Sequence, residues 1–271
     1  MTPHAELATD VAAVRYAHLL AALLDHESPL WRPGELPPLG HFLMFPPDAH
    51  QSRLGPDGHP ARDESGLPRR MWAGSRIRFL APIPLGSTVV RETTVLSQME
   101  KSGRSGRMLF VTMQHRLSVD GVPRIVDEQD IVYREPGRNG APPSPGELAT
   151  VPPVTRHITA DPVQLFRFSA LTFNAHRIHY DLPYTVDVEG YPGLVVHGPY
   201  LATLLMDLFL RHHPDAWIDG FTFRALRPVF AGEPFVLGLT ADAAGGDLIV
   251  IDHAGAAAMK ARVDIRRGTR T

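Results

Sequence analysis

The sequence predicts an α+β protein made from one unit used twice, a helix wrapped by an antiparallel sheet. Three observations predict it. Four β-like runs with glycine-bearing turns occupy Ser75 to Arg134, and four more occupy Gly220 to Ile265. Each set follows a stretch with helical periodicity. The run Arg78-Phe-Leu-Ala-Pro-Ile-Pro-Leu-Gly86, then Val89-Val90, aligns at an offset of 146 residues with Arg224-Ala-Leu-Arg-Pro-Val-Phe-Ala-Gly232, then Phe235-Val236. The shared Arg-x-Leu-x-Pro-apolar-x-x-Gly falls at the same point in both halves, which points to duplication.

A chain of 271 residues can bury a large core, and 44% hydrophobic with 21% charged residues is ordinary for a globular enzyme. The formal charge of -2 gives no basic excess, so nucleic acid is not an expected partner. With no cysteine there can be no disulfide, thiolate metal site or cysteine nucleophile. No run approaches the roughly 20 apolar residues that span a bilayer, and no cleavage signal follows the first apolar stretch, so a cytoplasmic protein without membrane attachment is expected.

In chain order, Leu7, Val11, Val14, His18 and Leu19 recur at helical spacing, which predicts a helix capped by Thr9 or Asp10 and ending near His26-Glu-Ser-Pro29. Pro29 to Pro68 holds nine prolines and no sustained period, and reads either as a surface wrap or as cover for a ligand site. Strands are expected around Ser75–Leu80, Thr88–Gln98, Met108–Ser118 and Arg124–Arg134. The Pro/Gly-rich Glu135 to Pro153 is a linker. A helix from about Val163, a polar loop and a helix Pro199–Arg211 follow, then strands near Gly220–Leu226, Phe235–Thr240, Asp247–Asp252 and Ala257–Ile265. The expected organisation is therefore a first unit over 1–136 with a Pro-rich insertion at 29–70, a linker over 137–153, and a second unit over 154–271.

The polar loop sets Asn174, His176 and His179 within six residues, and nothing like it stands at the matching offset in the first half. One half is thus expected to carry chemistry and the other shape. Beyond it, Gly198-Pro199 opens an apolar helix with Leu201, Leu204, Leu205 and Leu208 on one face. A glycine amide there can approach a ligand oxygen closely and add the helix dipole to its hydrogen bond.

Helix-wrapped sheets used twice are the double hotdog architecture. The stretch Ala170-Leu-Thr-Phe-Asn-Ala-His-Arg-Ile-His179 resembles the motif Ser-Gly-Asp-x-Asn-Pro-(Leu/Ile)-His of the MaoC-type, or R-specific, enoyl-CoA hydratases and hydroxyacyl-thioester dehydratases. His179 falls on the family's histidine. Asn174 stands where most of that family has its catalytic aspartate, and His176 where it has asparagine. Phe173-Asn-Ala-His-Arg-Ile-His-Tyr-Asp181, Arg70-Met-Trp-Ala-Gly74 and Asp127-Glu-Gln-Asp-Ile-Val-Tyr-Arg134 are similar to a narrower branch, the mesaconyl-CoA and itaconyl-CoA hydratases and mitochondrial-type 3-hydroxyacyl-thioester dehydratases.

The resemblance implies a hydro-lyase acting on an α,β-unsaturated thioester of coenzyme A. Such a reaction needs a base, a proton donor and dipoles for an enolate-like oxygen. His179 is the candidate base, Asn174 orients water or substrate through its amide, and Gly198 matches the family's oxyanion donor. Candidate substrate contacts are His176, Arg177, Arg76, His197 and Tyr184, with His197 equally suited to a structural role. The expected substrate is a short C4- or C5-dicarboxylyl-CoA such as mesaconyl- or itaconyl-CoA, whose free carboxylate would use Arg177, Arg69, Arg70 or Arg76; the alternative, a fatty 3-hydroxyacyl chain, would use Phe42, Met44, Phe45 and Trp72. No metal is expected, because the loop offers no third ligand beside His176, His179 and the nearby Asp181 in a recognised pattern. No cofactor beyond the substrate's CoA is implied, and a homodimer of such chains is compatible. The competing readings are a thioesterase using Asp181 or Asp187, and a non-catalytic acyl-thioester-binding module.

Overall fold

The computed structural model describes residues 5–61, 66–67, 69–103, 106–135 and 146–266. Ten strands form one antiparallel sheet: β1 (Glu6–Val11), β2 (Arg69–Phe79), β3 (Thr88–Gly103), β4 (Gly106–Val119), β5 (Val122–Arg134), β6 (Val154–Thr159), β7 (Ile218–Ala225), β8 (Pro234–Asp242), β9 (Gly245–Ile251) and β10 (Ala257–Ile265). Their order across the sheet is β1-β3-β4-β5-β2-β7-β10-β9-β8-β6. The second five repeat the first five in reverse, and the join is the pairing of β2 with β7, where Ile77 faces Phe221. Ile77, Phe221 and Phe223 are buried at this join, so the core runs across it.

The repeat seen in the sequence is matched bond for bond. Leu80 and Ala81 donate their amides to Arg124 O, as Leu226 and Arg227 donate theirs to Ala258 O. Gly86 and Gly232 both adopt positive φ and donate to Ala12 O and Ala160 O. Leu36 donates to Ile83 O at 2.8 Å, and Val196 donates to Val229 O at the same distance.

Three α-helices accompany the sheet: α1 (Val14–Leu23), α2 (Pro162–Thr172) and α3 (Gly198–His212). The long N-terminal helix expected from Leu7 onward is instead β1 followed by α1. Glu6–Val11 pairs with Thr88–Thr93, and Asp10 caps no helix but accepts from the amides of Val11 and Phe45. Leu7, Val11, Val14 and Leu19, the predicted apolar face, are exposed, while Ala17, Leu20, Ala21 and Leu23 are buried. Pairing with β3 outweighed an apparent 3.6-residue period carried by only a few positions. Its counterpart β6 was also not foreseen. The remaining strands stand where expected, with β2 beginning at Arg69, inside the segment assigned to the insertion. Of the linker, 136–145 lie outside the described residues, whereas Leu148 bridges to Ala256.

α2 begins as its sequence dictates, with Asp161 and Gln164 forming a reciprocal capping box before Pro162. α3 is buried on every side from Tyr200 to Leu210. Such a helix lies inside the sheet's concavity rather than on its surface, and each buried leucine contributes roughly 1.5–3 kcal/mol. Its one buried charge, Asp207, accepts from His26 Nε2 at 2.6 Å, Arg156 at 2.6 Å and Arg211 at 2.9 Å. Among the described residues the first half has no helix buried on every side. After Leu36, the position matching Val196, come Pro37-Pro38 and a single 3-10 turn at Gly40–Leu43.

Candidate active site

The reaction loop hangs between α2 and α3. α2 ends at Phe173 in the left-handed conformation, φ 51°, with Asn174 N–H returning to Ser169 O. Asn174 Oδ1 then accepts from His176 N–H at 3.0 Å, an Asx-type turn that lifts the chain out of the helix. Arg177–His179 forms one 3-10 turn. Val195 anchors it from the far side of the loop, donating its N–H to Ile178 O and accepting from the His179 ring.

His179 is buried, and its Nδ1 lies 2.7 Å from Val195 O. A carbonyl can only accept, so Nδ1 carries the proton and Nε2 keeps a lone pair. Burial pushes the ring down to about 4, against the partial compensation of that hydrogen bond. At neutral pH His179 is therefore an uncharged base with its orientation fixed.

Its neighbours form a row of imidazoles. His197 stacks on it at 3.6 Å between centroids and 19° between planes. His176 meets it edge-on at 5.4 Å, and His59 lies 4.2 Å beyond His176. His197 is fully buried and shares a hydrogen bond with Ser169 Oγ at 2.8 Å. Burial holds it well below the usual histidine range. Burial, chiefly, together with the positive charge of Arg70, pushes His176 down to about 2.

Gly198 is the first residue of α3, which starts with no side-chain cap over its free amides. Its φ is not positive, and a Cβ placed on it would meet nothing within 4 Å. Neither backbone conformation nor packing calls for glycine here. What remains is unobstructed approach to an N–H at the positive end of a helix.

Several expected substrate contacts have other partners. Arg177 is occupied: Nε and Nη2 donate to Asp181 Oδ2 at 2.9 and 2.8 Å, Nη1 donates to Pro56 O, and the guanidinium covers the Tyr184 ring. Tyr184 is buried and donates to Glu189, and its hydroxyl is pushed up to about 12, chiefly by burial. Arg76 lies on β2 and binds Glu128 and, bidentately, Asp130. Met44 is buried in the core, Phe42 packs against Trp72, and Phe45 lies under Arg91. Asp181 is held by Arg177 and by Tyr184 N–H, and Asp187 is exposed, so neither is placed as a thioesterase carboxylate.

The Pro-rich segment reaches this loop. Asp57 O accepts from Arg177 N–H at 2.9 Å. A Cβ on Gly58, whose φ is 91°, would run into the Ala175 carbonyl. Asp57 Oδ2 accepts from His59 Nδ1 at 3.1 Å. Sequence reasoning overlooked Asp57 and His59, although Gly55-Pro-Asp-Gly-His-Pro60 is the most polar turn-rich run of that segment. Metal binding was discounted for want of a third ligand, yet donor atoms of Asp57, His59 and His176 lie within 4.8 Å of one another. Within this group Asp57 and His59 are joined by a hydrogen bond, and the positive charge of Arg70 acts on His176.

A neutral, oriented histidine beside an open helix N-terminus, on a doubled helix-and-sheet unit, defines a double-hotdog hydro-lyase for acyl thioesters. Residues 39–231 match the family described as hydroxyacyl-thioester dehydratase type 2, and the chain belongs to that family. It is 47% identical over 257 residues to the mesaconyl-C(4)-CoA hydratase of Chloroflexus aurantiacus, covering 92% of this chain and 91% of that protein. It is 29% identical over 227 residues to the mitochondrial hydroxyacyl-thioester dehydratase type 2 of Schizosaccharomyces pombe, covering 73% and 76%. Among solved structures, a Mycobacterium tuberculosis protein with a double hotdog fold superposes with a TM-score of 0.58 at 14% identity, over 96% of this chain and 95% of that one. No helix among the described residues is long and apolar enough to cross a membrane.

Proposed function

We propose that this chain adds water reversibly across the double bond of a short dicarboxylyl-CoA, with mesaconyl-C4-CoA as substrate. The geometric observation that carries hydration is His179, neutral and pinned through Nδ1, in the same site as the unblocked Gly198 amide. His179 Nε2 takes the proton from water, Gly198 N–H holds the thioester oxygen as charge develops on it, and Asn174 shapes the loop between them. The choice of acyl chain rests on the 47% identity to the C. aurantiacus enzyme.

The free carboxylate of such a substrate needs a cation. Arg70, whose positive charge acts on His176 within the site, is the candidate for that role. In this reading the strands and Pro-rich segment of 1–136 shape the acyl end, 137–153 link, and 154–271 carry the base and the oxyanion donor. The reaction calls for no cofactor beyond the CoA of the substrate, and a dimer of such chains is compatible with it.

Loss of enoyl-thioester absorbance, followed for mesaconyl-, itaconyl-, crotonyl- and a long enoyl-CoA beside a free-thiol assay, tests the proposal. Highest kcat/KM for mesaconyl-C4-CoA, no thiol release, and a selective loss on that substrate in Arg70→Ala are expected. A higher kcat/KM for crotonyl- or long enoyl-CoA overturns the substrate, and thiol release overturns the reaction.

A further inference from the structure

Hydration of an enoyl thioester moves two protons, one from water to a base and one to the α-carbon. His179 accounts for the first. Its neighbours His176 and His197 are, like it, held neutral by burial, so neither carries a spare proton. Asn174, at the carboxylate position of the loop, has no acidic proton either. Within the row of four rings, only His59 has a carboxylate hydrogen-bonded to it, at 3.1 Å from Asp57. Asp57 also accepts from His59 N–H through Oδ1, which fixes the pair as a rigid two-residue turn.

The pair is seated on the reaction loop by backbone contacts. Asp57 O takes the Arg177 amide, Pro56 O takes the Arg177 side chain, and Gly58 lies against the Ala175 carbonyl with no room for a Cβ. We propose that Asp57 and His59, brought from the first half of the chain, are the proton-donating pair of this site, with His59 Nε2 supplying the proton that the α-carbon receives. The inference rests on the hydration reading above.

The step balances. Water attacks the β-carbon while His179 Nε2 takes its proton, a C–O bond forms, and the π pair moves to the thioester oxygen facing Gly198 N–H. The pair returns to the α-carbon, which forms a C–H bond with the proton from His59. His179 then returns its proton to His59 through His176, the ring that lies between them. One water is consumed and one π bond is lost. The charged or titratable groups facing this path are Asp57, His176, His179, Arg70, Tyr184 and the Arg177–Asp181 pair.

The test is turnover, together with α-hydrogen exchange of the hydrated product in D2O, for wild type, His59→Gln and Asp57→Asn. His59→Gln should lose about 10²-fold in kcat and exchange the α-hydrogen correspondingly slowly. Asp57→Asn, which keeps the ring but loses the carboxylate on it, should slow turnover and exchange together by a smaller factor. A His59→Gln enzyme matching wild type in rate and exchange overturns the inference. Loss of activity on chelation with recovery on adding zinc or magnesium also overturns it. If His59→Gln melts early, the Asp57→Asn rate and exchange decide, and wild-type values there overturn the inference. Wild type inactive on every enoyl-CoA would instead defeat the hydratase reading itself.

Discussion

His179 and His197 lie face to face, 3.6 Å between ring centroids and 19° from parallel, and each is tied by a single hydrogen bond, to Val195 O and Ser169 Oγ. The buried His197 ring acts as a wall that keeps the base flat against it. His179→Ala should therefore lower kcat by about 10² or more, and because it empties a buried, hydrogen-bonded position it should also lower the melting temperature while the chain still folds. In wild type the acid limb of kcat/KM should fall near the ring's value of about 4, because the base must be unprotonated. Steady-state rates between pH 4 and 8 check both, and an unimpaired variant removes His179 from the mechanism.

Gly198→Ala separates folding from function. The added methyl meets nothing in the protein and replaces a poor helix former, so stability should hold or rise by up to about 1 kcal/mol. In the proposed reaction the same methyl would crowd the amide offered to the thioester oxygen, and kcat should fall at least ~10-fold. Thermal melting and turnover of the same preparation give the answer.

Asn174 shapes the loop through its acceptor oxygen on His176 N–H. Asn174→Asp keeps an acceptor and should retain much of the activity. Asn174→Ala loses the turn, about 1 kcal/mol of stability and part of the rate. Full activity in the alanine variant would show that the turn is dispensable.

Arg177→Ala should weaken the loop and not the choice of substrate. Its guanidinium holds Asp181, Pro56 O and the Tyr184 ring, so kcat/KM should drop by a similar factor for mesaconyl- and crotonyl-CoA. A loss confined to the dicarboxylyl substrate would return Arg177 to the acyl pocket.

Acid should destabilise the fold well before the carboxylates titrate. His179 and His115 are pushed by burial to about 4, and His176 to about 2, from an ordinary value of 6.5. Between 6.5 and 4 the unfolded chain binds protons that the folded chain refuses, so stability is complete above pH 6.5 and is lost as pH falls toward 4. Over that window each ring contributes at most on the order of 3 kcal/mol. Urea melts at pH 7.5 and 5.0 should differ, and His115→Gln on β4 should reduce the difference; equal midpoints for wild type contradict the account.

Elements with dense, unambiguous patterns were legible in the sequence. β3 to β5 and β7 to β10 alternate and end at glycine turns, and the Arg-x-Leu-x-Pro-apolar-x-x-Gly repeat became a set of matching hydrogen bonds at Ile83 and Val229. β1 was misread because six residues carry too little periodicity to reveal which strand they will pair with. At the site, His179 and Asn174 stood out because one motif gathers them, and Gly198 because it opens an apolar helix ahead of a proline. Asp57 and His59 did not, since more than a hundred residues separate them from the loop and only tertiary contact with Ala175 and Arg177 gives them meaning. Arg177 and Arg76 misled for the opposite reason. A sequence shows a positive charge but not the carboxylate already bound to it.

The duplicated turn also determines how many substrates a chain can process. Val196 precedes His197-Gly198 and the amides of α3, whereas the matching Leu36 precedes Pro37-Pro38. Proline has no N–H, so at the position equivalent to Gly198 the first half has nothing to offer a developing negative charge, and no long helix follows to reinforce it. A molecule built on twofold repetition is thus expected to offer a single reactive pole, and calorimetric titration with a non-hydratable acyl-CoA should reach equivalence at one ligand per chain.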